Sequence, residues 1–281
     1  MSVQIVIENH LGQQLVLDDQ YKCIDVSGLV PPTATVNRAG YGSTDGSVVS
    51  SAYVRERNIV LTVVPEGSAE DARLALWRYV KPKYKVRLYF QTNTRDVLID
   101  GYVEDVEGNP YSQKARYQIS VICPQPYFVD RVPSYYSQSG VAGGFTFPVA
   151  IPSAGIALGT LSSSHDLVIS NAGDETVGVQ ISLTARDKVM YPVIYNRTAG
   201  TYLGLDYNLQ AGDRIEIDTR SGTKRISLYR DGEISNLLHK MKRGSSWITL
   251  GIGDNLLSYG SSSGAESMEV QYTVSAYYEG V

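Results

Sequence analysis

Apolar and polar residues alternate with a period of two along much of the chain. Ala115, Tyr117, Ile119, Val121 and Cys123 fall on one side while Arg116, Gln118 and Ser120 fall on the other, as in a strand with one face in a core. The same alternation runs through Val177, Val179, Ile181 and Leu183 against Gly178, Gln180, Ser182 and Thr184, and through Met268, Val270, Tyr272, Val274, Ala276 and Tyr278 against Glu269, Gln271, Thr273 and Ser275. Shorter stretches follow it at 58–64, 85–90, 97–103, 214–219, 225–229 and 247–252, many closed by Gly, Asp or Asn turns such as Asp231-Gly232. Antiparallel sheets packed as sandwiches are the expected architecture.

One segment has helical spacing instead. Ser68-Ala69-Glu70-Asp71 resembles a capping box, with its acids in the first turn, where the helix dipole favours them. Ala69, Ala72, Leu76 and Val80, with Trp77 beside them, form an apolar stripe, and Pro82 ends it. The spacing predicts a single helix over about 68–81 that packs Trp77 onto a sheet.

A chain of 281 residues is long enough for two domains. The clearest change in texture is 124–164, with Pro124, Pro126, Pro133, Pro148 and Pro152 among many Ser and Gly. The expected division is an amino-terminal β domain with one helix at 1–130, a linker at 131–144 and a second β domain at 145–281. Gly143-Gly144 followed by Phe145, Phe147, Val149 and Ile151 reads as the opening strand of the second domain.

Composition narrows the function. The net charge is −4 and there is no Lys/Arg block, so tight nucleic-acid binding, which needs a basic stripe to release counterions, is not expected. No apolar run approaches the roughly 18 residues that cross a bilayer, and Glu8 and His10 stand where a secretory signal has its basic and apolar parts, which predicts synthesis and retention in the cytosol or export by another route. Tyr supplies 21 of the aromatic residues, against 4 Phe and 2 Trp. It suits strands and half-wet interfaces, where the ring packs and the hydroxyl meets water or a partner. Cys23 and Cys123 are expected to be free, buried thiols.

Candidate chemistry is sparse. His10, His165 and His239 are isolated and have no partner at metal-ligand spacing. Cys123 continues an apolar strand face, whereas a nucleophilic thiolate needs an open, electropositive setting. Glu216 and Asp218 share a strand face and could form an acid and base pair, although solvated polar positions are the simpler reading. Asp100, Glu104, Asp105 and Glu107 lack the spacing of a calcium loop. Gly40-Tyr41-Gly42 and Gly46 are not followed by a Lys-Ser/Thr pair at phosphate-loop spacing, so 39–51 reads as a hairpin tip or arm that orders on meeting a partner. Asn196-Arg197-Thr198 has the form of a glycosylation acceptor without a secretory context. No catalytic, cofactor-binding or metal-binding residue is expected, and the chain is read as a non-enzyme.

Several segments resemble those of siphophage distal tail proteins. In the first half they are Tyr53, Arg57-Asn58-Ile59-Val60-Leu61, Tyr79-Val80-Lys81-Pro82, 86–90, Gly101-Tyr102-Val103-Glu104, and 118–121 leading into Cys123-Pro124-Gln125-Pro126-Tyr127-Phe128. In the second half they are Gly212-Asp213-Arg214-Ile215-Glu216-Ile217-Asp218, 247–250, and Gly253-Asp254-Asn255 with Tyr259. Their order spans nearly the whole chain. The resemblance implies a structural virion protein at the distal tail tip, assembled in the host cytoplasm. Its amino-terminal β domain would close a hexameric ring through which the genome passes, and a galectin-like β-sandwich would lie outside it. The implied partners are further copies of the chain, the tail tube protein, the tail-tip fibre or lysin protein, and receptor-binding proteins. Two rivals remain open. One is a carbohydrate-binding lectin using Trp77 or Trp247, although both are read as packed residues. The other is a glycoside hydrolase using Glu216 and Asp218.

Overall fold

A computed structural model describes residues 3–42, 44–66, 69–110, 112, 115–139, 141–143, 159–161 and 166–281. The opening strand expected at 145–151, together with Ser68 and His165, lies outside the described residues. The chain forms two compact units, Met1–Arg131 with Tyr277–Val281, and Val132–Ala276. Both are built mainly of β-strands, as the alternation predicts.

The first unit is organised on one antiparallel sheet. Its strands run in the order Gln14–Leu17, Gln4–Glu8, Lys85–Gln91, Asp96–Gly108, Tyr117–Cys123, Arg57–Pro65 and Tyr21–Ser27. Alternate residues enter the core: Ile59, Leu61 and Val63 from one strand meet Tyr117, Ile119 and Val121 from its neighbour. The helix spans Ala69–Tyr79, two residues shorter at its carboxy-terminal end than expected. Ala72, Leu76 and Val80 join the core, and the Tyr21 hydroxyl donates to the Ala72 carbonyl at 3.2 Å, fastening helix to sheet. Trp77 departs from the expectation. It is 40% exposed while Leu76 is fully buried, because it lies four residues after Arg73, whose guanidinium stacks on its ring at 5.1 Å, and so shares that outward face.

The first unit also takes back the end of the chain. The alternation at 268–278 reads as one strand, but the structure ends that strand at Val274. Tyr277–Tyr278 then pairs with Phe128–Asp130 on the first unit's sheet. Arg57 organises this region. It is 4% exposed, and its guanidinium donates to the carbonyls of Pro126 (2.6 Å), Gly28 (2.6 Å), Val30 (2.8 Å) and Glu279 (2.5 Å).

The second unit begins with the strand Ser134–Ser139, inside the segment read as a linker. It is the first member of a six-stranded sheet, followed in space by Met268–Val274, Gln180–Ala185, Arg214–Asp218, Arg225–Arg230 and Glu233–Asn236. A four-stranded sheet orders Asp166–Asn171, Gly253–Gly260, Val193–Asn196 and Thr201–Gly204. The Tyr259 hydroxyl, on the smaller sheet, donates to the Met268 carbonyl on the larger at 3.3 Å, and both residues are buried, so the sheets share one core as a sandwich does. The alternation at 177–184 is split between pairings. Val177–Gly178 pairs with Thr249–Leu250, and Gln180 begins a strand of the six-stranded sheet. The break falls at Val179, whose N–H donates to the Thr219 hydroxyl oxygen at 2.7 Å. Gly178 permits the crossing, since a Cβ there would stand 2.5 Å from the Arg220 backbone.

Candidate functional site

Glu216 and Asp218, the candidate acid and base pair, are each held by structural partners. Glu216 and Asp218 do face the same side of one strand. Glu216 accepts from the Tyr229 hydroxyl at 2.9 Å and from Arg214 at 3.1 Å. Asp218 is buried rather than solvated, and Arg220 grips it from Nε at 3.0 Å and Nη2 at 2.7 Å. Burial alone pushes its carboxyl up, but the Arg220 bonds outweigh this and leave it below the usual carboxylate range. A carboxylate so held is a fixed anion, unsuited to shuttling protons. The two acids line only a shallow hollow shared with Gln180, Ser182, Arg225 and Thr273.

Three of the acids on the strand Asp96–Gly108 are also engaged. Asp100 binds Lys85 at 2.9 Å and Arg87 at 2.7 Å, Glu104 accepts from the Ser120 hydroxyl at 3.1 Å, and Asp105 takes the Val106 N–H at 2.8 Å. Among the described residues no cluster of His, Cys, Asp and Glu could hold a metal. His10 stacks on Tyr84 at 4.2 Å, and His239 lies in a short 3₁₀ turn. Cys123 is fully buried, and burial pushes its thiol up to about 12; Cys23 is half-buried and raised for the same reason. Both are free thiols. Asn196 is a buried brace: its amide donates to the Thr249 carbonyl at 2.8 Å and its oxygen accepts the Ala199 N–H at 3.0 Å. Trp247 is half-buried with the Lys224 ammonium 5.7 Å from its ring.

What the fold offers most openly is surface. The strands Ala34–Gly40 and Ser47–Val54 form a separate two-stranded hairpin, with a register shift between Asn37 and Arg38. Nearly every residue in it is exposed, including Val36, Tyr41, Val48, Val49 and Tyr53. The turn region read from its glycines is the tip of this arm, where the Tyr41 N–H donates to the Gly46 carbonyl at 3.4 Å. Two features escaped the sequence reading. The Trp77 exposure was available from the four-residue step after Arg73. The Arg57 hub had no local signal, because its acceptors are carbonyls scattered from Gly28 to Glu279.

No helix among the described residues is long and apolar enough to cross a membrane. Residues 172–275 match the family model described as the siphovirus-type tail component, C-terminal domain. No curated protein matches the chain in sequence. In three dimensions the chain is similar to the SPP1 Dit (gp 19.1) protein, described as a paradigm of the hub adsorption apparatus in phages infecting Gram-positive hosts. The TM-score is 0.68 at 11% identity, covering 98% of this chain and 99% of that one. A chain of the phage P2 baseplate in its activated conformation with Ca is similar with a TM-score of 0.56 at 14% identity, covering 97% of this chain and 98% of that one. The strontium form gives 0.54 at 14% identity, covering 98% of each.

Proposed function

We propose that this protein, a phage tail component whose carboxy-terminal domain is of the siphovirus type, closes with copies of itself into a hexameric ring at the distal tip of the tail. The ring joins the tail tube to the tail-tip fibre or lysin protein and serves as an attachment hub for receptor-binding proteins. Its role is architectural, with the genome passing through the channel. The similar solved structures, described as a hub adsorption apparatus and a baseplate, support this reading.

The observation that carries it is the exposed hairpin at 34–54. A lone two-stranded ribbon is marginal in water, and this one displays Val36, Val48, Val49 and Tyr53 to solvent. Laid on the next subunit, those side chains lose their contact with water. A contact in which one surface meets a different surface of the neighbour is the kind that closes rings. The end strands of the first unit's sheet, Gln14–Leu17 and Tyr21–Ser27, carry further open edges.

Native mass spectrometry of the purified full chain tests the reading. The expected result is a sixfold mass, reduced to the monomer when 34–54 is replaced by a short Gly-Ser link. A wild-type chain that stays monomeric at every concentration up to the millimolar range refutes it. The assembled ring is also expected to bind duplex DNA no more tightly than salt-screened background, in keeping with its net charge of −4.

A further inference from the structure

The outward face of the four-stranded sheet carries an unusual row of side chains. Val193 pairs with Gly204 on one neighbouring strand and with Gly260 on the other. Two residues along the same face, Tyr195 pairs with Tyr202 and Ser258. The alternate residues Ile194, Leu203 and Tyr259 are buried on the core side. The Gly-Val-Gly row is thus the floor of a hollow of about 320 Å³, with Tyr191, Tyr195, Tyr202, Lys242 and Ser262 around it.

Neither glycine is demanded by the backbone. Neither has a positive φ. A Cβ would come no nearer than 3.4 Å to the Lys242 side chain at Gly204, or 3.8 Å to Val193 at Gly260, which is ordinary contact. Gly178, in contrast, has no room for one. Glycine weakens a strand and commonly marks a place where another molecule comes close. An alanine would fit the fold at either position; Gly204 is already covered by the Lys242 stem, so the open floor is the feature that Gly260 maintains.

The walls are held in place. Arg197 stacks its guanidinium 4.4 Å from the Tyr195 ring centroid, and the Tyr202 hydroxyl donates to the Arg243 carbonyl at 3.4 Å. Tyr191 has a left-handed backbone (φ 53°), rare for an aromatic residue, with its N–H donating to the Tyr207 carbonyl at 3.1 Å. Its ring remains exposed at the rim. The free edge of the strand Thr201–Gly204 is already used, since the Lys242 N–H donates to the Gly204 carbonyl at 2.9 Å and the Ser246 N–H to the Tyr202 carbonyl at 2.8 Å. A peptide therefore cannot add here as another strand.

From this geometry we infer that the hollow binds a saccharide, one sugar ring lying over the Gly204-Val193-Gly260 floor against the tyrosines. Tyrosine rings suit the C–H face of a sugar, and the phenol and serine hydroxyls suit its oxygens. Among the described residues Lys242 is the one charged residue lining the hollow and no carboxylate lines it, which favours sugars bearing a carboxylate or phosphate. The site belongs to a single unit and does not depend on ring closure.

An immobilised array of neutral and anionic bacterial-surface saccharides, probed with the labelled full chain, tests this. Binding is expected, with anionic sugars preferred. Gly260→Val, which fills the floor, is expected to abolish it, and Tyr195→Ala to weaken it about tenfold. Lys242→Gln is expected to remove only the preference for anionic members. Each variant is checked for an unchanged unfolding temperature; should Gly260→Val unfold, Gly260→Ala places a methyl on the same floor, where it has room. Binding to no member of the array overturns the inference, as does binding that survives occlusion of the floor. Capture of a proline-rich peptide in place of any sugar overturns it too. All three outcomes are read independently of the hexamer mass.

Discussion

The Arg57 guanidinium donates to the Glu279 carbonyl at 2.5 Å, joining residues 222 positions apart in sequence. Arg57 satisfies three further carbonyls from the same buried position, those of Pro126, Gly28 and Val30. Its planar fork lets one side chain gather segments that have no sequence relationship. The Phe128 ring lies 4.6 Å below its guanidinium carbon, adding a cation-π contact.

Replacing Arg57 with Met removes the donor that these four carbonyls share. Unmade bonds to a charged group cost about 1.5 to 3 kcal/mol each and do not sum. A net loss of about 3 to 5 kcal/mol is expected, read as a fall of roughly 10 °C or more in the first unit's unfolding temperature. Arg57→Lys is expected to recover little, because an ammonium cannot span four acceptors in a plane. Full rescue by Lys in calorimetry would show that the charge matters and the fork does not.

Leu76 and Trp77 are adjacent on the helix and should behave oppositely. Leu76 is fully buried and Trp77 is 40% exposed. Leu76→Ala is expected to cost about 2 to 5 kcal/mol through lost burial and a residual cavity. Trp77→Ala is expected to cost less than about 1 kcal/mol, mostly its contact with Arg73. Thermal unfolding of the two variants side by side separates them, and equal destabilisation would place Trp77 in the core after all.

The strands were legible in the sequence because a one-sided core imposes period-two alternation, and 117–123 and 225–229 follow it closely. The alternation cannot say where a strand changes partner. At Val179 and again after Val274 the apolar pattern continues unbroken while the backbone leaves one sheet for another. The helix was legible from its stripe at 72, 76 and 80, but its outward tryptophan was drawn to the core by hydrophobicity alone. The Gly204-Val193-Gly260 floor was not legible, because cross-strand register joins residues up to 67 positions apart that no local spacing connects.

Two buried aspartates tie the second unit's stability to acid pH. Asp213 is held by Arg230 at 2.7 Å and 2.5 Å, and Asp218 by Arg220. In both, burial raises the carboxyl but the arginine and backbone bonds outweigh it, so the folded value lies below the unfolded one near 3.9. The unfolded chain then takes up protons first as the pH falls. The stability these pairs contribute is complete above about pH 4 and is lost as the pH falls further through the folded values. Unfolding followed from pH 6 to pH 2 should show this loss, and Asp213→Asn, already destabilised at pH 6, should show a shallower one. A wild-type curve that stays flat below pH 4 would remove the pairs from the account.

The return of 277–281 to the first unit's sheet decides which fragments fold. Beyond the Arg57 bond, Tyr278 pairs with Phe128, the Arg95 guanidinium lies 4.4 Å from the Tyr278 ring centroid and donates to the Gly280 carbonyl, and the Val281 N–H donates to the Leu29 carbonyl at 3.0 Å. We propose that 132–276 folds alone as a soluble monomer, and that 1–131 folds but is weakened by the missing strand. With several bonds lost at about 0.5 to 1.5 kcal/mol each, the deficit is expected near 3 kcal/mol. Joining 277–281 to 1–131 through a flexible Gly-Ser linker should restore it, and the restored fragment, which keeps the hairpin at 34–54, should assemble without the other unit. Urea unfolding measures the first effect and native mass spectrometry the second. If the joined fragment is stable yet stays monomeric while the full chain forms rings, the ring contacts belong to 132–276 and the hairpin is not their source.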